Sequence, residues 1–175
     1  MTERVLILGA GYAGSVVANI LAREFRNKIA KNELEIVVFD KNETSINQGG
    51  FTFIPFDLYT PEDIIRPRKK IISPRVKSRY GTGGEVTAVD LQKKKVTVKN
   101  GKKYGYDYLV IAMGCRANVD AVPGLADDLN TFYTSLEDAF KVRDLVKNID
   151  GGKIAISVAS MPIPCPGAPV RSEER

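Results

Sequence analysis

A chain of 175 residues holds one domain, or one domain and the start of another, and its 43% apolar and 27% charged residues exclude a disordered or collagen-like polymer. Twenty-six Lys and Arg against 21 Asp and Glu leave a net charge of +5, too little for a protein that coats nucleic acid. There is no histidine, which removes Ser-His-Asp triads, Cys-His dyads and histidine-ligated zinc, and no metal site is expected.

Val5-Leu6-Ile7-Leu8 is a continuous apolar run, so Arg4 to Leu8 reads as a strand buried on both faces. It leads into Gly9-Ala10-Gly11-Tyr12-Ala13-Gly14. A helix follows to about Lys31, with Val17, Leu21 and Phe25 at spacing of four and Val16 and Ile20 beside them. Leu34 to Phe39 is a second strand, closed by Asp40. The charge-free run from Val5 to Ala22 has nearly the length of a membrane anchor, but three glycines interrupt it and only four residues precede it. It is not a targeting segment.

G-x-G-x-x-G alone is a weak signal. Between a strand and a helix, in a βαβ unit with an acid ending the second strand, it becomes a dinucleotide fingerprint. Gly9 permits a tight turn, Gly11 lets backbone approach a pyrophosphate, and Gly14 lets the helix lie close to the sheet. The helix N-terminus offers free N–H groups to phosphates, and Asp40 is placed to accept from ribose hydroxyls. NAD and FAD are not separated by this motif.

Residues 41 to 65 form a long loop with Phe51, Phe53 and Phe56, either walls for a flat ring or a small satellite core. Pro61 to Ile65 reads as one helical turn. Arg66 to Arg79 carries seven basic residues and no acid. It lacks the aromatics of a nucleic-acid platform and reads as a solvated basic face, with contact to an anionic membrane as the alternative. Glu85 to Asp90 and Lys95 to Lys99 are strands of a meander. Tyr106 to Gly114 is a buried strand that returns to the sheet.

At this point the chain resembles the glutathione reductase-like flavoproteins with two dinucleotide-binding domains. The resemblance rests on the opening G-x-G-x-x-G, on Glu85-Val86-Thr87-Ala88-Val89-Asp90 before the meander, and on Tyr106-Asp107-Tyr108-Leu109-Val110-Ile111-Ala112-Met113-Gly114 after it. It implies FAD as cofactor, bound by Gly9, Gly11, Tyr12, Ala13, Gly14, Asp40 and Lys41 around the ADP half. Val86 would meet the adenine through its backbone, and Ala112, Met113 and Gly114 would pass the flavin nucleotide. Met113 stands where the family has a threonine, so one hydroxyl contact is lost.

Ser135-Leu136-Glu137-Asp138 opens a further helix whose apolar face is Ala139, Val142, Val146 and Ile149. Lys153 to Ala159 reads as another buried strand. It delivers Ser160-Met161-Pro162-Ile163-Pro164-Cys165-Pro166-Gly167-Ala168-Pro169, where an NADH-using relative would have a second glycine-rich loop. Prolines remove N–H donors needed to cradle a pyrophosphate, so NADH binding there is not expected. Cys165 is either a buried inert thiol or a redox cysteine at a strand's carboxyl end.

Pro164-Cys165-Pro166-Gly167-Ala168-Pro169 and Gln48-Gly49-Gly50-Phe51-Thr52-Phe53-Ile54-Pro55-Phe56 resemble the sulfide:quinone oxidoreductase branch, with Gly49 in place of a proline. The resemblance implies sulfide and a quinone as substrates, with Cys165, paired with another cysteine, as the catalytic thiol. Cys115, directly after Ala112-Met113-Gly114, is expected near the flavin-facing end of the sheet, either as a second catalytic candidate or as a packed thiol. Alternatives are a type II NADH:quinone dehydrogenase and a non-catalytic nucleotide-binding module.

The expected fold is α/β: a Rossmann-like FAD-binding domain over 1–150, with a parallel sheet and antiparallel meander. Residues 151–175 are expected to start a second α/β domain. The match reads as roughly the first 40% of such an enzyme. It therefore carries expectations of weak or absent turnover and of self-association through open apolar faces. Free thiols without a secretion signal imply the cytoplasm, with a peripheral position at the inner membrane face.

Overall fold

The computed structural model of the chain describes residues 2–116, 118–125 and 130–158. Two compact units emerge: Met1–Ser45 with Arg66–Cys115, and Ile46–Ile65 with Arg116–Arg175. Each is described by itself.

In the first unit, β1 (Glu3–Leu8) is followed by α1 (Tyr12–Glu24), α2 (Arg26–Ala30) and β2 (Leu34–Phe39). β1 and β2 pair in parallel from Glu3↔Leu34 to Leu8↔Phe39, as their apolar runs demand. One face of this pair packs Val5, Ile7, Ile36 and Val38 against Ala18 and Ala22 of α1 and against Ile72 and Val76. The other face sets Leu6, Leu8, Val37 and Phe39 against Val96 and Val98.

The helix differs from its reading. It breaks at Phe25. Val17 and Leu21 pack half-buried against the sheet as their spacing predicts, but the fully buried residues are Gly14, Ser15, Ala18 and Ala22, and Val16, Ile20 and Phe25 are exposed. Small side chains bring the helix close to the sheet, which branched ones would prevent. α2 buries no residue fully, and Ile29 packs half-buried against the core beneath β1 and β2.

A short ribbon of β3 (Thr44–Ile46) and β4 (Ile65–Pro67) brackets the intervening loop. The basic run beyond it contains a strand that its composition conceals. β5 (Lys77–Arg79) pairs in parallel with β2, Val37↔Lys77 to Phe39↔Arg79. The meander consists of β6 (Val86–Asp90), β7 (Lys95–Val98) and β8 (Lys103–Gly105), all antiparallel. β9 (Tyr108–Ile111) returns parallel to β1, giving the order β5-β2-β1-β9. β9 is shorter than the nine-residue reading and not buried, because it lies at the edge of the sheet, with Tyr108 and Ile111 exposed.

In the second unit, Phe51, Ile54 and Ile64 gather with Ala139 into a small core, flanked by Phe132, Leu136 and Phe140. Phe51 is thus satellite core, and Phe53 packs on Tyr59 with ring centroids 4.7 Å apart. α3 (Pro61–Ile64) is the expected turn, its N-terminus closed by the Asp63 carboxylate accepting from the Thr60 N–H at 2.8 Å. α4 (Leu136–Lys147) begins where read, the Ser135 hydroxyl accepting from the Asp138 N–H at 3.1 Å. Of its proposed apolar face only Ala139 is buried. Residues 153–158 form no strand, and Ile154 and Ile156 are exposed. A buried strand requires a paired neighbour, and no described strand pairs with this segment. No helix among the described residues is long and apolar enough to cross a membrane.

Glu35 ties three strands together at the start of the sheet. Its carboxylate takes Arg4 of β1 and Lys77 of β5, its own side chain being 19% exposed. Burial works to raise its pKa, but the hydrogen bonds and charges of Lys77 and Arg4 prevail and hold it below the ordinary glutamate value. The depressed pKa makes this contribution complete above the ordinary glutamate range, and it is lost as pH falls through the lowered value. Glu35→Gln therefore lowers stability at neutral pH by on the order of 1 kcal/mol and makes the acid-side decline shallower than in the parent. Thermal midpoints measured across that range check this; parallel curves for the two proteins would contradict it.

Candidate functional site

The loop from β1 to α1 is fixed by contacts too close for any side chain. Gly9 has φ +95°, and a Cβ there would meet the Ala112 carbonyl oxygen at 2.2 Å. A Cβ on Gly14 would meet the Gly9 carbonyl oxygen at 1.9 Å. Turn, helix and the end of β9 therefore touch backbone to backbone. Gly11 is different: nothing lies within 4 Å of where its Cβ would stand, and its φ of −68° is open to any residue. The protein's own packing does not require a glycine there.

Gly11 is also the N-cap of α1, where no side chain closes the helix and the first turn contains no acid. The neighbouring amides of Tyr12 and Ala13 stand at the exposed end of the helix, Tyr12 being 90% exposed. Ser15 turns inward, its hydroxyl donating to the Ala10 carbonyl at 2.9 Å. An uncapped helix end beside an open backbone fits a pyrophosphate.

Asp40 follows β2 directly and faces this loop. Its Oδ2 accepts from the Ala10 N–H at 2.7 Å, and its Oδ1 accepts from the Asn42 N–H at 2.9 Å. The same Oδ2 lies 3.3 Å from Nη2 of Arg68. A carboxylate has about four lone-pair directions, so these three contacts leave acceptor capacity for a ligand hydroxyl. Lys41 beside it is exposed.

Two residues that the sequence reading passed over complete the arrangement. The basic run predicts a solvated face for Arg68, yet it is only 6% exposed. The correction follows from pairing: its charge is met by Asp40 rather than by water. Gly84 lies against Asp40, where a Cβ would meet the Asp40 carbonyl oxygen at 2.3 Å and that of Arg79 at 2.0 Å. This close approach carries the chain into β6, at whose start Val86 packs against the Phe39 cluster. The glycine pair Gly83-Gly84 before Val86 was the available signal for it.

Ala112 is anchored by its N–H donating to the Leu8 carbonyl at 2.7 Å, which sets Ala112 and Met113 against Gly9. Gly114 has φ +75°, and Cys115 after it is a free, exposed thiol. The first unit thus brings Gly9, Gly11, Gly14, Asp40, Ala112 and Met113 to the carboxyl ends of parallel strands. Cys165 lies outside the described residues. Among the described residues no cluster of His, Cys, Asp or Glu could hold a metal ion.

The three loop glycines should respond differently to alanine. Gly9→Ala and Gly14→Ala destabilise the fold by about 3 kcal/mol or more, through strain and steric overlap. Gly11→Ala leaves thermal stability within about 0.5 kcal/mol of the parent but abolishes tight dinucleotide binding. Thermal melts with a binding assay test this; a destabilised Gly11→Ala chain, or one that binds normally, would contradict it.

Residues 3–161 match the family model described as pyridine nucleotide-disulphide oxidoreductase. The mitochondrial sulfide:quinone oxidoreductase of Dictyostelium discoideum is 29% identical over 174 residues, covering 95% of this chain and 36% of that protein. A type II NADH:quinone oxidoreductase of Staphylococcus haemolyticus is 29% identical over 148 residues, covering 85% of this chain and 34% of that protein. Among solved structures, the sulfide:quinone oxidoreductase of Aquifex aeolicus superposes with a TM-score of 0.68 at 20% identity, over 83% of this chain and 32% of that one. The chain spans about a third of the length of these relatives. With its glycine loop, parallel sheet and meander matched across most of its length, the chain belongs to the pyridine nucleotide-disulphide oxidoreductase family, whose flavoproteins carry FAD.

Proposed function

We propose that this chain forms the FAD-binding part of a quinone oxidoreductase that oxidises sulfide. The observation that carries the reading is the open backbone at Gly11, lying between an uncapped helix and the Asp40 carboxylate. On this reading the amides of Gly11, Tyr12 and Ala13 receive the FAD pyrophosphate, and Asp40 takes the ribose hydroxyls. Lys41 contributes positive charge beside the sugar, and Val86 meets the adenine through its backbone. Ala112, Met113 and Gly114 pass along the flavin nucleotide. FAD supplies a ring that accepts an electron pair and returns it.

Cys165 carries the sulfide branch of the proposal. Starting from a disulfide between Cys165 and a partner cysteine, hydrosulfide would attack Cys165 and break the S–S bond. That leaves a persulfide on Cys165 and a thiolate on the partner, whose electron pair would pass to FAD and from there to the quinone. The Pro-Cys-Pro-Gly-Ala-Pro stretch and the naming of the Dictyostelium relative support this assignment. Cys115, exposed and close in sequence to the flavin-facing segment, is a second thiol in reach of redox chemistry. A quinone acceptor places the working enzyme at a membrane surface, where exposed Lys69, Lys70 and Arg75 suit anionic headgroups.

A second reading, a type II NADH:quinone dehydrogenase, is favoured by the Staphylococcus relative. Pro162, Pro164 and Pro166 oppose it, since each removes a backbone donor where a nicotinamide dinucleotide would need one.

Anaerobic addition of sulfide or of NADH to the flavin-loaded protein separates the two. Sulfide is expected to bleach the visible flavin absorbance and NADH to leave it unchanged. Cys165→Ser should keep the flavin and lose the sulfide response by at least about 100-fold. Bleaching by NADH alone, or an undiminished sulfide response in the serine variant, would refute the sulfide assignment.

A further inference from the structure

Arg68 is placed as no residue of a solvated basic face would be. It is 6% exposed, and among the described residues the polar contacts of its side chain go to the turn that follows β2. Its Nε donates to the Asn42 carbonyl at 2.9 Å, and Nη2 stands 3.3 Å from Oδ2 of Asp40. Its backbone N–H donates to the Glu43 carbonyl at 2.9 Å. The residue is itself held firmly. The N–H groups of Ile71 and Ile72 both donate to its carbonyl at 2.9 Å, and Ile72 sits in the core under β1 and β2.

Stability alone does not account for this arrangement. Nη1 of Arg68 is buried and has no hydrogen-bond partner. A buried guanidinium with an unmet donor costs folding free energy that an apolar side chain of similar length would avoid. Its neighbourhood suggests what it does instead. Asp40 faces the crevice that the dinucleotide reading assigns to a diphosphate, and two anionic groups at close range repel in a partly buried site. Arg68 supplies the one cation paired with Asp40 among the described residues, and its Nε bond to the Asn42 carbonyl fixes where the planar guanidinium presents that charge, which a flexible ammonium would not.

We infer that Arg68 is a positioning residue for the sugar end of the dinucleotide, holding the Asp40 carboxylate oriented and charge-compensated so that it can receive a ribose diol beside a diphosphate. The inference rests on the dinucleotide reading above and names a residue that acts through Asp40. It predicts an effect confined to ligands that present ribose hydroxyls.

The experiment displaces FAD from the full chain with ADP or with 2′,3′-dideoxy-ADP, followed by flavin fluorescence, alongside thermal midpoints. The parent chain should favour ADP by about tenfold, the value of one good hydrogen-bonded contact. In Arg68→Met that preference should shrink to within about twofold of unity, beyond any fall in the midpoint from leaving Asp40 without its cation. Arg68→Lys, which keeps the charge and loses the fork, should restore part of the preference.

An unchanged preference in Arg68→Met overturns the inference and leaves the dinucleotide reading intact. Should Arg68→Met fail to fold, Arg68→Lys decides: a full preference overturns the inference and a reduced one supports it. A parent chain that binds no FAD overturns the dinucleotide reading and this inference with it.

Discussion

Three backbones meet at the carboxyl end of β1 with no space for side chains between them: the Gly9 turn, the first turn of α1 at Gly14, and the end of β9 at Ala112. The remainder of the first unit depends on that contact. It sets how near α1 lies to the sheet, which is why the helix buries Gly14, Ser15, Ala18 and Ala22 fully while Val17 and Leu21 pack half-buried beside them. It also brings β9 and the Ala112-Met113 segment up to the opening turn. Of the three loop glycines, Gly11 is the one that faces open space. A position left free by the packing, beside a helix end without a cap, is where a ligand's phosphates replace what the protein does not supply.

The opposite wall of that crevice is built from charge. Asp40 is held by two backbone amides and by Arg68, and Gly84 lets the chain pass directly beneath it. Asp40 is thus already fixed before any ligand arrives. Preorganisation of this kind lowers the ordering cost of binding. It also separates the roles of residues that are close in sequence. Within the basic run, Arg68 is buried against a carboxylate and Lys77 pairs with Glu35, whereas Lys69, Lys70 and Arg75 remain exposed.

What could be read from the sequence follows from how local each signal is. β1 and β2 are continuous apolar runs bounded by glycine and acid, and the structure has β2 with the bounds that were read. The meander was visible through alternation and turn residues, and the start of α4 through a hydroxyl cap. Signals failed where tertiary partners decide. β5 is a basic tripeptide that becomes a strand because β2 offers it a ladder. Arg68 is buried because a carboxylate distant in sequence receives it. The apolar segment at 153–158 looks like a strand by composition but has no described neighbour to pair with. Phe25 continues the spacing of four but lies beyond the sheet-facing stripe, and the helix breaks there. Of the candidate site, the glycines and Asp40 were legible because the motif's spacing encodes their geometry. Arg68 and Gly84 were not, since neither a charge run nor a glycine pair specifies which atoms it will meet.

The Gly11 crevice is the proposed bed of the dinucleotide. Backbone amide shifts of the isotope-labelled chain, recorded during titration with FAD, address this residue by residue. The largest changes are expected at residues 9–15 and around Asp40, saturating at one FAD per chain. Saturable binding whose shifts fall elsewhere, with residues 9–15 unmoved, would contradict it.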